Sequence, residues 1–173
     1  MQLEELIRNV QDFPKPGIGF KDITTLVGDA EGLHDSVIQM LAPFDETKID
    51  AVLGIESRGF IFAAAMAFHL NVGMVPVRKP GKLPYEAIAE KYVLEYGEDS
   101  LEIHTDAVES GDQVLIVDDL LATGGTVEAT IRLVERLGGK VLGCSFLVEL
   151  DFLKGREKLK DYQVESIIHY LSE

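Results

Sequence analysis

The stretch that most constrains the fold runs from Val114 to Thr126 and reads VLIVDDLLATGGT. Its first four residues, Val114 to Val117, are apolar, and the run is short enough for a strand buried on both faces. Asp118 and Asp119 follow where that strand would end, and ligands of open α/β sheets bind at the carboxyl ends of strands. Apolar residues from Val127 onward recur at helical spacing. The stretch therefore predicts a strand, a turn and a helix around a binding site.

The turn of this stretch has the composition of an anion-binding loop, which consists of Ala122, Thr123, Gly124, Gly125 and Thr126. Its glycines let the backbone approach an anion, and the amides of the helix start and the threonine hydroxyls can donate to it. The two aspartates upstream would be poor phosphate ligands but good acceptors for a pair of sugar hydroxyls. A phosphate beside a diol predicts ribose 5-phosphate as the ligand.

These residues resemble the phosphoribosyl pyrophosphate motif of type I phosphoribosyltransferases, and their ATGGT ending is similar to that of the adenine phosphoribosyltransferases. The resemblance implies an α/β fold with a central, mainly parallel sheet flanked by helices, a small N-terminal hood and a flexible β-hairpin loop. It also implies that Asp118 and Asp119 act at the ribose and that residues 122–126 hold the 5′-phosphate. A strand-turn-helix whose glycines only turn the chain is the alternative.

The N-terminal region carries a second resemblance. A short amphipathic helix is predicted over residues 2–11, and the prolines and glycines of residues 13–19 exclude a helix or a central strand. FPKPG followed by FKDI is similar to the base-covering hood of adenine phosphoribosyltransferases, here placed within residues 1–30. The resemblance implies that Phe20 stacks on adenine and that the backbone from Ile18 to Lys21 binds its edge; Leu120 is also predicted for this site. A core aromatic is the alternative for Phe20.

A second buried strand, predicted over residues 49–55, ends in Glu56, Ser57, Arg58 and a glycine, before an apolar helix over residues 60–70. GIESRGF resembles the pyrophosphate loop of the same family, which implies that Glu56, Ser57 and Arg58 bind diphosphate and that the 56–57 peptide is cis. A surface charge at the helix start is the alternative for Arg58.

Basic residues follow the next strand, predicted over residues 72–77. Arg78, Lys79 and Lys82 lie within five residues that also contain a proline and a glycine. Such an arm suits the binding of diphosphate oxygens. The basic residues at 154–160 alternate with acidic ones and are interpreted as a solvated surface turn or helix. The strand-end position favours residues 78–82 as the diphosphate site.

The segments KYVLEY and SLEIH, separated by residues 97–99, predict a β-hairpin after a mobile stretch at residues 83–90. Such a hairpin could cover the reaction and exclude water. YVLEYG resembles the flexible loop of adenine phosphoribosyltransferases, which implies that Glu95 is a catalytic acid/base and that Tyr96 adjoins the site. Without the resemblance, Glu95 is one exposed carboxylate among 30 acidic residues.

Length and charge restrict the remaining possibilities. The 173 residues fit one domain, 1–173, and the net charge of −14 argues against nucleic acid and anionic membranes as partners. The single cysteine, Cys144, is expected to be buried, and no basic n-region with an apolar block opens the chain, so a cytoplasmic protein is expected. The apolar 60–70 helix and the resemblance both favour a homodimer, with the 78–82 arm near the neighbour's site.

The function expected from these patterns is transfer of phosphoribose from 5-phosphoribosyl 1-diphosphate to adenine. Mg²⁺ is expected to arrive with the donor, since no ligand spacing in the sequence indicates a protein metal cage. A transferase for xanthine, hypoxanthine or a pyrimidine is the alternative within the fold. A non-catalytic sensor of the sugar diphosphate would need a nucleic-acid surface, which an acidic chain does not offer. A receiver-type phosphoacceptor also has adjacent aspartates but lacks the Gly-Gly turn directly after them.

Overall fold

The structure is a computed structural model that describes residues 2–94 and 97–172. Its strands are β1 (Arg8–Val10), β2 (Phe20–Asp22), β3 (Ala51–Ile55), β4 (Gly73–Val77), β5 (Ala87–Leu94), β6 (Gly97–His104), β7 (Gln113–Leu121), β8 (Lys140–Leu150) and β9 (Gln163–Tyr170). Its α-helices are α1 (Thr24–Val27), α2 (Ala30–Leu41), α3 (Gly59–Leu70) and α4 (Gly125–Arg136). Short 3-10 helices span Leu3–Leu6, Ala42–Phe44, Asp151–Leu153 and Gly155–Leu159.

The central sheet has five strands in the order β4-β3-β7-β8-β9, and every neighbouring pair is parallel. β7 lies in the middle, and its residues Val114 to Val117 are fully buried, as predicted. β3 pairs with β7 only as far as Val117, whereas β8 continues to pair with it beyond that residue. The acidic pair therefore lies at the carboxyl edge of the sheet, past the last residue paired with β3.

Alternating residues of the strands form two separate cores, one on each face of the sheet. Val52 and Leu115 pack with α2 and α3 on one face, while Leu53 and Ile116 pack with α4 and the β5–β6 hairpin on the other. The helices predicted over residues 60–70 and after residue 126 are confirmed. β7 is thus packed on both faces, and α4 is held against one of them.

The predicted N-terminal helix over residues 2–11 is wrong in its extent. The helix is a 3-10 turn at Leu3–Leu6, and β1 then pairs antiparallel with β2. The β1–β2 pairing satisfies backbone groups of both segments, and Arg8 adds an ion pair with Asp22, with 2.9 Å between Nη2 and Oδ2. The segment from β1 to β2 forms the hood.

The hairpin is confirmed, but its predicted turn at residues 97–99 is wrong. β5 and β6 pair from Ala87 with His104 to Leu94 with Gly97, so residues 97–99 belong to β6. Residues 87–90, predicted as part of a mobile stretch, form the start of β5. Arg132 and Arg136 of α4 both contact the Glu90 carboxylate at 2.9 Å, which ties this part of β5 to the helix.

Within the described part of the chain, no helix has the length and apolar character that crossing a membrane requires.

Candidate active site

The acidic pair is buried at the end of β7. Asp118 and Asp119 are 8% and 4% exposed, and the amide of Asp119 donates to Asp118 Oδ1 at 2.9 Å. A Cβ on Gly59, the first residue of α3, would lie 2.7 Å from that same oxygen, so only glycine allows the helix to pack so closely on the carboxylate. Burial raises the pKa of Asp118 well above its ordinary value, and the neighbouring Asp119 charge adds to the rise.

Arg58 links the acidic pair to the hood. Its Nε lies 3.0 Å from Asp119 Oδ2, and its guanidinium lies over the Phe20 ring, 5.0 Å from the centroid. Burial raises the pKa of Asp119 too, but the Arg58 charge opposes the rise. The contact with Arg58 lacks hydrogen-bond geometry, and Asp119 Oδ2 accepts no hydrogen bond from the described residues although it is buried. A buried carboxylate oxygen left in this condition is a natural acceptor for a ligand hydroxyl.

Residues 122–126, the phosphate loop, connect β7 to α4. Gly124 has φ +80°, a conformation that favours glycine, and no side chain caps the helix that follows. The first amides of α4 therefore remain available to an anion, as P-loop-like helix starts require. A side chain at Gly124 would point toward Gly155 and not toward the anion-binding side of the loop, because its Cβ would lie 2.6 Å from the Gly155 carbonyl oxygen.

Gly155 is a site residue that the sequence interpretation missed. It is buried, and a Cβ on it would lie 2.2 Å from the Ala122 carbonyl oxygen and 3.0 Å from the Gly124 nitrogen. The backbone of Gly155 thus packs directly against the phosphate loop. Its only signal in the sequence is a glycine inside a highly charged segment, LKGREK.

The hood and Arg58 enclose a cavity of about 340 Å³, lined by Val10, Phe13, Phe20, Asp22, Thr24 and Arg58. Phe13 meets Phe20 edge to face, with ring centroids 5.0 Å apart. An apolar cavity with an aromatic wall and few polar groups is the usual form of a small-ligand site. Leu120, also predicted for this site, is half-buried in β7 beside the acidic pair.

The backbone from Ile18 to Lys21, which the resemblance implies would bind the base edge, contains both paired and free hydrogen-bonding groups. The Ile18 carbonyl accepts from the Phe13 amide at 3.1 Å and its amide donates to Lys15, so both groups of Ile18 are used internally. The amide and carbonyl of Gly19 have no hydrogen-bond partner in residues 2–94 and 97–172. The Lys21 side chain is buried away from the cavity, since its Nζ donates to Asn9 at 2.7 Å and lies over the Tyr170 ring. Within residues 18–21, the backbone groups of Gly19 are therefore free to bind a base edge.

The predicted diphosphate residues lie at the ends of β3 and β4. The Glu56–Ser57 peptide is cis, as the resemblance implied. Arg78 Nε donates to Glu56 Oε1 at 2.8 Å, which joins the two loops. Lys82 is exposed on the same turn, and its carbonyl lies 3.4 Å from Arg78 Nη1.

Lys79 is held by the hairpin. Its Nζ donates to Tyr92 Oη at 2.6 Å and forms an ion pair with Asp99. Burial acts to lower the pKa of Lys79, but these two hydrogen bonds outweigh it and raise the pKa. Tyr92 also lies near the phosphate loop, with its ring 3.4 Å from a Cβ built on Gly125. The hairpin thus spans from the basic arm to the start of α4. Glu95 and Tyr96 lie outside the described residues.

The basic segment at 154–160 is not simply solvated. Arg156 donates twice to Glu149, with Nε–Oε1 and Nη2–Oε2 distances of 3.0 and 2.6 Å. Glu149, Asp151 and His169 also bring potential metal-ligand atoms within 4.8 Å of one another, a group that sequence spacing did not show. Because Arg156 occupies both Glu149 oxygens and His169 contacts Asp151 at 2.9 Å, these groups already satisfy one another.

Known proteins resemble this chain over almost its whole length. The phosphoribosyl transferase domain model matches residues 27–170. A relative from Nitrosococcus oceani named adenine phosphoribosyltransferase is 59% identical, over 98% of this chain and 99% of its own. The crystal structure of adenine phosphoribosyltransferase from Rhodothermus marinus has a TM-score of 0.94 at 56% identity, over 97% of this chain and 96% of that one. The Saccharomyces cerevisiae enzyme, complexed with an imino-altritol bisphosphate and adenine, has a TM-score of 0.90 at 40% identity, over 96% of both chains.

Proposed function

The chain belongs to the phosphoribosyltransferase family, as one of its adenine phosphoribosyltransferases with the type I fold, and we propose from this premise which residues perform each part of the reaction. The enzyme transfers 5-phosphoribose from 5-phosphoribosyl 1-diphosphate to adenine, forming AMP and diphosphate in purine salvage. Cleavage of the anomeric bond places positive charge on the ribose and negative charge on the leaving diphosphate. The site must stabilise both.

The ribose 5-phosphate part of the donor is assigned to the end of β7 and the phosphate loop. The observation that carries this assignment is the buried Asp119 Oδ2, which lacks a hydrogen bond within the described residues and lies just ahead of an uncapped helix start. Asp118 and Asp119 accept the ribose hydroxyls and face the developing positive charge. The amides of residues 122–126 bind the 5′-phosphate.

The diphosphate is assigned to the loops after β3 and β4, where Arg58, Arg78, Lys79 and Lys82 supply positive charge near Glu56 and Ser57. We propose that Mg²⁺ binds together with the donor, since the unsatisfied Asp119 oxygen suits either a ribose hydroxyl or a water of a hydrated Mg²⁺. When bound, Mg²⁺ would neutralise charge on the diphosphate. The basic residues orient the leaving group toward the same end of the sheet.

Adenine is assigned to the hood cavity, where it would stack on Phe20 while the Gly19 amide and carbonyl bind its edge. Ring stacking and paired backbone groups give selectivity for the 6-amino purine pattern, because a 6-oxo base reverses the donor at that edge. Glu95 is proposed to handle the purine proton. The proposal for Glu95 rests on the resemblance, since this residue lies outside the described ones.

One assay tests the base specificity. The protein is incubated with 5-phosphoribosyl 1-diphosphate, Mg²⁺ and each nucleobase in turn, and the nucleotide formed is identified by chromatography. AMP should be the main product. Faster formation of a nucleotide from hypoxanthine or xanthine would contradict the assignment of the cavity to adenine. Binding of the donor without turnover of any base would instead favour a sensor.

A homodimer is proposed from the surface of α3. Ile61, Ala64 and Phe68 recur on one exposed face of this helix, and Phe68 is 89% exposed. An apolar face of this kind is typical of an interface, and α3 begins directly after Arg58 of the site. Phe68→Glu should yield monomers in sedimentation velocity, while a dimer that survives the change would contradict this interface.

We also place the enzyme in the cytoplasm, since Cys144 is a free buried thiol and the described fold needs no disulfide.

A further inference from the structure

The segment between β8 and β9 reaches the phosphate loop at one point, through the backbone of Gly155. Gly155 begins the 3-10 helix Gly155–Leu159, and the next residue, Arg156, points back toward β8. A Cβ built on Gly155 would overlap Ala122 and crowd Gly124, so no space is left between the two segments. A shift of this turn would therefore move the phosphate loop with it.

Arg156 is held by four groups from two strands. Both Glu149 oxygens at the end of β8 accept from it, and its Nη1 donates to the Val164 carbonyl of β9. Its Nη2 also lies 3.5 Å from Ser166 Oγ. A bidentate guanidinium–carboxylate pair fixes direction as well as distance. This side chain thus anchors the turn that carries Gly155 to the ends of β8 and β9, while Leu159 of the same 3-10 helix packs in the core.

Glu149 is suited to this task because it is almost fully buried, with 5% of its side chain exposed. Burial acts to raise the pKa of Glu149, but hydrogen bonds from Arg156 and Ser166 and the Arg156 charge lower it on balance. The same hydrogen bonds that lower the pKa of Glu149 hold its carboxylate in place against the Arg156 guanidinium. Neither residue lies in the phosphate loop itself.

We propose that Glu149 and Arg156 are positioning residues for the phosphoribosyl donor, holding Gly155 against the phosphate loop so that its amides keep the geometry that binds the 5′-phosphate. The inference rests on the proposed assignment of residues 122–126 to that phosphate. It predicts a selective effect. Disturbing the pair weakens binding of the donor and of ribose 5-phosphate, whereas binding of adenine at the hood stays unchanged.

The test compares Arg156→Ala, Arg156→Lys and Glu149→Gln with Lys158→Ala, which changes an exposed cation on the same turn. KM for the donor and for adenine is measured, with ribose 5-phosphate affinity by calorimetry. Arg156→Ala should raise the donor KM about 10- to 100-fold, the scale of a misplacement near 1 Å, with the adenine KM within about twofold. The donor KM of Arg156→Lys should lie between those of the wild type and Arg156→Ala, because lysine keeps the charge but cannot form the bidentate hydrogen bonds of the guanidinium.

Two outcomes would overturn the proposal. An Arg156→Lys variant with the wild-type donor KM would show that charge alone matters, and equal effects on both substrates would indicate general destabilisation. If Arg156→Ala does not fold, the Lys and Gln variants carry the same comparison. Gly124→Val distinguishes a failure of the positioning role from a failure of the phosphate assignment. If it loses ribose 5-phosphate binding while the Arg156 variants keep it, the positioning role fails alone; if it too keeps binding, the phosphate assignment fails.

Discussion

Replacing Gly155 with alanine should lower kcat/KM for the phosphoribosyl donor by about 10²-fold, because the new methyl group would displace the phosphate loop. The added Cβ would lie 2.2 Å from the Ala122 carbonyl oxygen, and real Cβ contacts do not fall below 3.0 Å, so the segments must separate by at least 0.8 Å. At about 1.4 kcal/mol for each factor of ten, the loss corresponds to about 2.7 kcal/mol of transition-state stabilisation.

The backbone at Gly155 makes this substitution a clean steric test. Gly155 is not among the glycines with positive φ, so an alanine there introduces a contact without conformational strain. Gly73→Ala is the matched control, since Gly73 is exposed and a Cβ on it would meet no atom within 4 Å.

Initial rates with varied donor and saturating adenine give kcat/KM for both variants, and thermal unfolding shows whether each is folded. A folded Gly155→Ala enzyme with wild-type kcat/KM for the donor would refute the argument, because the loop would then tolerate the shift. A loss of the same size in Gly73→Ala would show that the effect is not specific to the contact.

Three further substitutions test other parts of the site. Phe20→Ala should raise KM for adenine about 5- to 150-fold, the equivalent of ~1–3 kcal/mol of stacking, and an unchanged KM would remove the base from this ring. Glu95→Gln should lower kcat by about 10²–10⁴, and an unchanged kcat would refute its acid/base role. Asp118→Asn should raise Tm more at pH 8 than at pH 4 while lowering turnover. Burial raises the pKa of Asp118. The stability that the protonated Asp118 contributes is therefore present below its unfolded-state pKa and is lost as pH rises through its folded-state pKa. Equal Tm shifts at both pH values would contradict the cost assigned to that buried charge.

The features that the sequence predicted correctly depend on neighbours in the chain. The buried run at Val114, the helical spacing after Val127 and the apolar helix at 60–70 are local patterns, and each formed the predicted element. The predicted hairpin turn at residues 97–99 is wrong because the β5–β6 register, which places these residues in β6, depends on pairing between the two strands rather than on a local turn signal. The same reason accounts for the N-terminal segment, where pairing with β2 overrides a weak helical pattern.

The site residues that the sequence did not reveal act through contacts between distant segments. Gly155 is 31 residues beyond Gly124 in the printed sequence, and nothing in the spacing indicates that their backbones meet. Within the predicted backbone of residues 18–21, the sequence could not show that the groups of Ile18 are hydrogen-bonded internally, whereas those of Gly19, among the described residues, are not. Arg156 was grouped with solvated lysines because its partner, Glu149, is separated from it by a turn.

Three of the four basic residues proposed to bind the diphosphate are paired with carboxylates in the structure. Arg58 lies against Asp119, Arg78 against Glu56, and Lys79 against Asp99. In a chain of net charge −14, these pairs hold the cations at the sheet edge while adding no positive patch that would attract unrelated polyanions. A diphosphate must then compete with three carboxylates for the same cations, so binding exchanges one set of ion pairs for another. If Mg²⁺ binds with the donor as proposed, its charge would favour that exchange by offsetting the carboxylates left behind. Because Asp99 lies on β6, release of Lys79 to the diphosphate would also remove one contact between the basic arm and the hairpin.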